Sequence, residues 1–150
     1  MNDHIQKILT RHVIKTGSID KADAARIVLL FSLVERAVQQ ARLICRNGGF
    51  SRDITLHAIM ACLADVRWTA DYRTYVQDDI YKNGNPLKGR INRDIGFRIR
   101  EGIGAVVETT DGKVVPVKVL GSIIQSYSPM ASFDPAAVEK TDLEWTEGQI

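Results

Sequence analysis

Residues 21–47, KADAARIVLLFSLVERAVQQARLICRN, contain no glycine or proline and are dominated by strong helix formers. The run predicts a single helix of about 27 residues, roughly 40 Å long at 1.5 Å per residue. Ser18 or Asp20 is placed to cap it, with Asp20 and Asp23 near its positive end. Asn47-Gly48-Gly49 stops it. Its apolar set includes Ala22, Ala25, Val28, Leu29, Phe31, Leu33, Val34, Ala37, Val38, Ala41, Leu43, Ile44 and Cys45. That band is wider than the stripe a surface helix needs, so the helix must be covered on more than one side.

On its N-terminal side, Asn2 or Asp3 caps a first short helix with Ile5, Ile8, Leu9, His12 and Val13 on one face, ended by Gly17. On its C-terminal side comes the loop Phe50–Asp53, then Ile54-Thr55 as a short extended step and cap. Leu56, Ile59, Met60, Leu63 and Trp68 line one face of the next helix. Tyr72, Tyr75, Val76 and Ile80 mark another over residues 70–81. Asn83-Gly84-Asn85-Pro86 is the strongest internal break.

Beyond the break the period reads as two. Ile91, Ile95, Phe97 and Ile99 fall on odd positions, with Arg90, Arg98 and Arg100 on even ones. Asp111-Gly112 between residues 105–110 and 113–120 predicts a two-residue hairpin, and Pro116 places its second strand at an edge. From Ser128 onward the chain is acidic and broken by proline, a segment expected to be mobile or draped on another surface. The fold class expected is α+β. A helical pairing module spans 1–82, a small antiparallel sheet of two or three strands 87–127, and an acidic tail 128–150.

Composition narrows the function classes. Hydrophobic content of 45% and charged content of 25% are ordinary globular values. The longest apolar run, Ala58–Ala64, is far short of the ~18 residues of a membrane span, and no secretory signal is visible at Met1–His4. No membrane association and an intracellular setting (cytoplasm, nucleus or virion interior) are therefore expected. Cys45 and Cys62 lie in apolar helical stretches and read as reduced core thiols. Residues 1–100 carry seventeen Lys and Arg against ten Asp and Glu, net +7, while residues 101–150 carry three against eight, net −5. A basic body with an acidic tail suggests polyanion binding moderated by the tail, with solvated surface charge as the alternative.

Signs of catalysis are missing. His4, His12 and His57 are scattered, and His57, Cys62 and Cys45 lack metal-ligand spacing. Gly102-Ile103-Gly104 lies between strand-like segments without a following helix to receive a phosphate. Asp78, Asp79 and Asp94 show no separation of acid and base roles. The expectation is a non-enzyme with no metal, no cofactor and no small-molecule substrate. Among Arg90, Arg93, Arg98 and Arg100, the pair Arg98 and Arg100 would share one strand face, either as a secondary basic face or as the wet side of a sheet.

A short helix, a long central helix and a second short helix, with basic residues and a capping Thr at the second joint (Arg52-Asp53-Ile54-Thr55-Leu56), resemble the histone fold over residues 2–68. The place where that family commonly carries an acidic partner for its loop arginine, five residues after the capping Thr, is Met60 here. The resemblance implies a head-to-tail homo- or heterodimer. Lys15, Lys21, Arg46 and Arg52 would then converge at each end to contact the phosphates of double-stranded DNA rather than its bases. A histone-like DNA-binding and compacting dimer is the function this implies. The alternatives are a viral or phage structural or assembly protein that oligomerises through its helices, and a histone-fold protein–protein adaptor.

Overall fold

The structure, a computed structural model, describes residues 21–139. Among these the elements run α1 (Lys21–Arg46), α2 (Ile54–Leu63), α3 (Val66–Val76), α4 (Pro86–Gly102), β1 (Val106–Val107), β2 (Val117–Lys118), β3 (Ser126–Tyr127), β4 (Met130–Ser132) and α5 (Pro135–Val138). The short first helix expected before Gly17, and Lys15 with it, lie outside the described residues.

The long helix forms where its composition demands. It ends in a glycine cap in which Gly49 N–H donates to Ile44 C=O (2.8 Å) and Gly48 N–H to Cys45 C=O (3.1 Å). Its buried ridge is Ala24, Leu30, Leu33, Val34, Ala37, Val38, Ala41 and Cys45. This ridge packs on α2, α3, α4 and α5 of the same chain. The cover that its wide apolar band requires on more than one side thus comes largely from within the chain.

The main departure from expectation is α4. Residues 86–102 form a helix, not a strand, with Ile91, Ile95, Ile99 and the following Ile103 fully buried. A spacing of four fits both a period of two and a period of 3.6. Phe97 breaks the tie, being 58% exposed where the strand reading placed it beside the isoleucines. Asn85 caps the helix by accepting from Leu87 N–H, and Pro86 takes the first turn, where a missing N–H costs nothing. Burying the isoleucines is worth roughly 1.5–3 kcal/mol each, which offsets the poor helix propensity of Gly89 and Gly96. Where α4 ends against α1, a Cβ on Gly102 would lie 2.4 Å from Val38 Cγ1, so only glycine permits this approach. Arg42 Nε donates to the Gly102 carbonyl at 2.9 Å, satisfying one helix-end acceptor.

The intervening helices shift as well. In α2 the buried face is Ile54, Thr55, Ala58, Ile59 and Cys62, while Met60 is exposed. Ile54-Thr55 is the first helical turn after Asp53, not an extended step, which rotates the buried stripe by one position. α3 begins earlier than expected because Asp65 caps it, accepting from Arg67 and Trp68 N–H. Trp68 belongs to α3, where its indole donates to Leu33 C=O at 3.1 Å and its ring stacks on Tyr72. Cys45 and Cys62 are free and buried, and burial pushes the Cys62 thiol up to about 12.

Asp111 and Gly112 both have positive φ (53° and 77°), and Thr110 and Lys113 exchange backbone hydrogen bonds across them. The flanking segments then diverge. β1 pairs antiparallel with β4, and β2 with β3, giving two two-stranded sheets instead of one hairpin-centred sheet. The part of the expected tail through Glu139 is packed rather than loose. Met130 and Val138 are buried, and β4 and α5 join the core. That core is continuous across the break at 83–86, holding Leu33 and Tyr72 together with Ile95 and Ile124.

Candidate anion-binding groove

Of the four cations expected to converge across a dimer at a DNA surface, Lys21, Arg46 and Arg52 lie among the described residues. Lys21 and Arg46 stand at opposite ends of α1, about 37 Å apart by helical rise. Arg46 Nε and Nη2 both donate to Val138 C=O, at 3.0 and 2.8 Å. Arg52 makes a two-point contact with Glu108 at 3.1 and 2.9 Å, so the acid missing at Met60 arrives from the residue after β1. That contact holds the Glu108 carboxyl below its usual range and raises the guanidinium. Arg98 lies 3.9 Å from Glu101. It does not share a face with Arg100 as the strand reading required, because a helix turns the two apart by about 160°.

A different set comes together. Residues Arg93, Phe97 and Arg100 follow helical spacing on the exposed side of α4, with the two arginines about 10 Å apart along the axis. Among the described residues neither the Arg93 nor the Arg100 guanidinium has a hydrogen-bond or ion-pair partner. They overlook a groove of about 740 Å³ between α4 and the chain around β3. One wall is Gly89, Arg93, Gly96, Phe97 and Arg100, and the other is Pro116 with residues 124–128. The buried Thr55, Ile59 and Met130 also line the groove. The Thr55 hydroxyl is buried without a hydrogen-bond partner.

The walls are held by specific contacts. Asn92 spans the base of the groove, accepting from Tyr72 O–H at 2.7 Å and donating to Ile123 C=O at 3.0 Å. Tyr127 anchors β3 by donating to Asp53, and burial with that carboxylate beside it pushes its phenol up to about 12. Lys88, at the Pro86 end, is 4% exposed and donates to Lys82 C=O at 3.1 Å. Its ammonium is held below the usual lysine value by burial, against the pull of Asp79. α4 thus carries five cations against two acids, Asp94 and Glu101, and no acid lines the groove.

The sequence reading weighed Arg93 only as a strand residue and set Phe97 on the odd positions of that strand with the isoleucines. The signal that finds this site is Ile91, Ile95, Ile99 and Ile103 read as one helical ridge, which puts Arg93, Phe97 and Arg100 opposite it. No family model, no curated protein and no solved structure matches this chain. No helix among the described residues is long and apolar enough to cross a membrane.

Proposed function

We propose that this chain is a non-enzymatic nucleic-acid-binding protein that grips the phosphate backbone through Arg93 and Arg100 of α4. The observation that carries this reading is the pair of guanidiniums without partners, over a groove that no carboxylate lines. Long arginines left uncompensated on one helix face raise the local positive potential, and polyanions are what such a field attracts. Pairing through α1 in the histone-like manner is not needed for it, since α4 already covers that helix. Fluorescence anisotropy with a labelled DNA across a salt series tests the reading. The Arg93→Ala/Arg100→Ala double variant should weaken binding similarly on all sequences and flatten the dependence of log affinity on log salt by about 1 per arginine. A wild-type chain that binds no DNA or RNA at low salt overturns it.

A second reading, a structural or assembly protein that oligomerises, is favoured by a separate observation. Val114, Val115 and Leu120 are exposed on the arm around β2, Leu120 at 98%. Light scattering at rising protein concentration tests it, since a chain that stays monomeric excludes self-assembly through this arm.

A further inference from the structure

We infer that the groove beside α4 receives an unpaired base, so that the nucleic acid this chain binds is single-stranded. The inference rests on the phosphate-binding reading above and names its substrate. Exposed arginines alone would suit a duplex as well as a single strand. Two further features separate the cases.

The first is Phe97, an aromatic ring 58% exposed and placed one turn from Arg93 and one turn from Arg100. A large apolar ring between two free guanidiniums offers a stacking face where phosphates are already held. Every base presents a π-face, whereas a duplex keeps its bases stacked on one another and turns only charge and groove edges outward. The second is volume. A recess of about 740 Å³ lies in the range of pockets that hold small organic ligands, and its lining mixes apolar Ile59 and Met130 with polar Thr55 and Asn92. Phosphate contact needs no recess, while an extruded base needs one. Gln125, Ser126 and Ser128 on the opposite wall carry the polar groups that a base edge would meet.

Gly96 keeps the recess open. It sits in the α4 wall about one turn from Arg93 and from Arg100, and a Cβ there would meet nothing within 4 Å. A larger residue at this point would therefore fill the groove without disturbing the core, and would improve helix propensity.

The test uses the full chain with two labelled probes, an oligothymidylate of about 12 nucleotides and a duplex of the same length. Affinity is read by anisotropy at about 50 and about 200 mM salt. The expected result is binding of the single strand about tenfold or more tighter than the duplex. Phe97→Ala should lower single-strand affinity by about tenfold and duplex affinity hardly at all, with Phe97→Trp restoring it. Gly96→Glu, folded by circular dichroism, should abolish binding to the single strand. If the duplex binds as tightly and Phe97→Ala changes neither affinity, while Arg93→Ala and Arg100→Ala weaken both, the base-binding inference is lost and the phosphate reading stands. If neither probe binds, both are lost.

Discussion

α1 and α4 pack side by side, yet Arg36, Arg42 and Arg46 of the one and Arg93 and Arg100 of the other have opposite fates. On α1, Arg36 pairs with Asp71 at 2.7 Å, Arg42 holds the end of α4, and Arg46 holds the carbonyl of Val138. Each ties the central helix to a different element. On α4, Arg93 and Arg100 tie nothing down among the described residues. An arginine folded into a contact has already exchanged its water for a fixed partner. One left in solvent keeps its field and all five donors for a ligand. The same residue type is thus structural on one helix and available on its neighbour, and the two roles are separable by mutation.

The largest effect should come from the shared core. Leu33 is fully buried between the helices, so Leu33→Asp places an unpaired charge in apolar surroundings at a cost of several kcal/mol. Circular dichroism should show loss of the cooperative melt. Arg93→Ala, by contrast, should leave the melt within about 0.5 kcal/mol of wild type. If both variants melt alike, the division between structural and available residues fails.

Gly102→Ala comes next. Its methyl would collide with Val38, and overpacking of this kind costs about 1–3 kcal/mol. Combining it with Val38→Ala should recover part of the loss in a double-mutant cycle, because the clash is removed at its other partner. Strict additivity in chemical denaturation would show that the two helices do not meet as closely as described.

Truncation sharpens the comparison from the C-terminal side. Deleting residues 129–150 removes the buried Met130 and Val138, and the carbonyl that Arg46 grips, so the melting temperature should fall sharply. Deleting 140–150 alone removes Asp142, Glu144 and Glu147 against one lysine, Lys140. Oligothymidylate binding should tighten a few-fold at low salt and not at high salt, where such competition is screened. Equal affinity for the shorter chain at low salt would show that the acidic residues do not compete for the arginines.

What was legible in the sequence follows from how many cues agreed at each point. α1 was plain because length, composition and the Asn47-Gly48-Gly49 stop all point the same way. The break at Asn85-Pro86 was equally plain as chain punctuation, since cap and proline act locally. α4 was hidden because isoleucines four apart satisfy two periods at once, and Gly89 and Gly96 argued against a helix. The turn at Asp111-Gly112 was readable and its sheet was not. A two-residue turn is written in two residues, whereas the pairing of β1 with β4 depends on contacts more than twenty residues apart. The groove inherited the error in α4. Its arginines and Phe97 become one surface only once the helix is known.

The smallest expected effect separates the loop from the groove. Arg52, expected with Lys15, Lys21 and Arg46 to reach a phosphate, is engaged by Glu108, both side chains being partly exposed. Arg52→Ala should lower the melting temperature slightly at low salt and less at high salt, as for any solvent-screened pair. The pH dependence has a definite sign. Glu108 is held below the ordinary carboxyl range in the folded chain, so its contribution is complete above the unfolded value near about 4.3. It is lost as pH falls through the lower, folded value, and the curves of wild type, Arg52→Ala and Glu108→Gln should converge there. Neither variant should alter oligothymidylate affinity at neutral pH as much as Arg93→Ala does. If Arg52→Ala weakens binding as strongly as Arg93→Ala, the loop is a contact surface after all. The arginine already paired with Glu108 would then have to exchange its partner for the ligand.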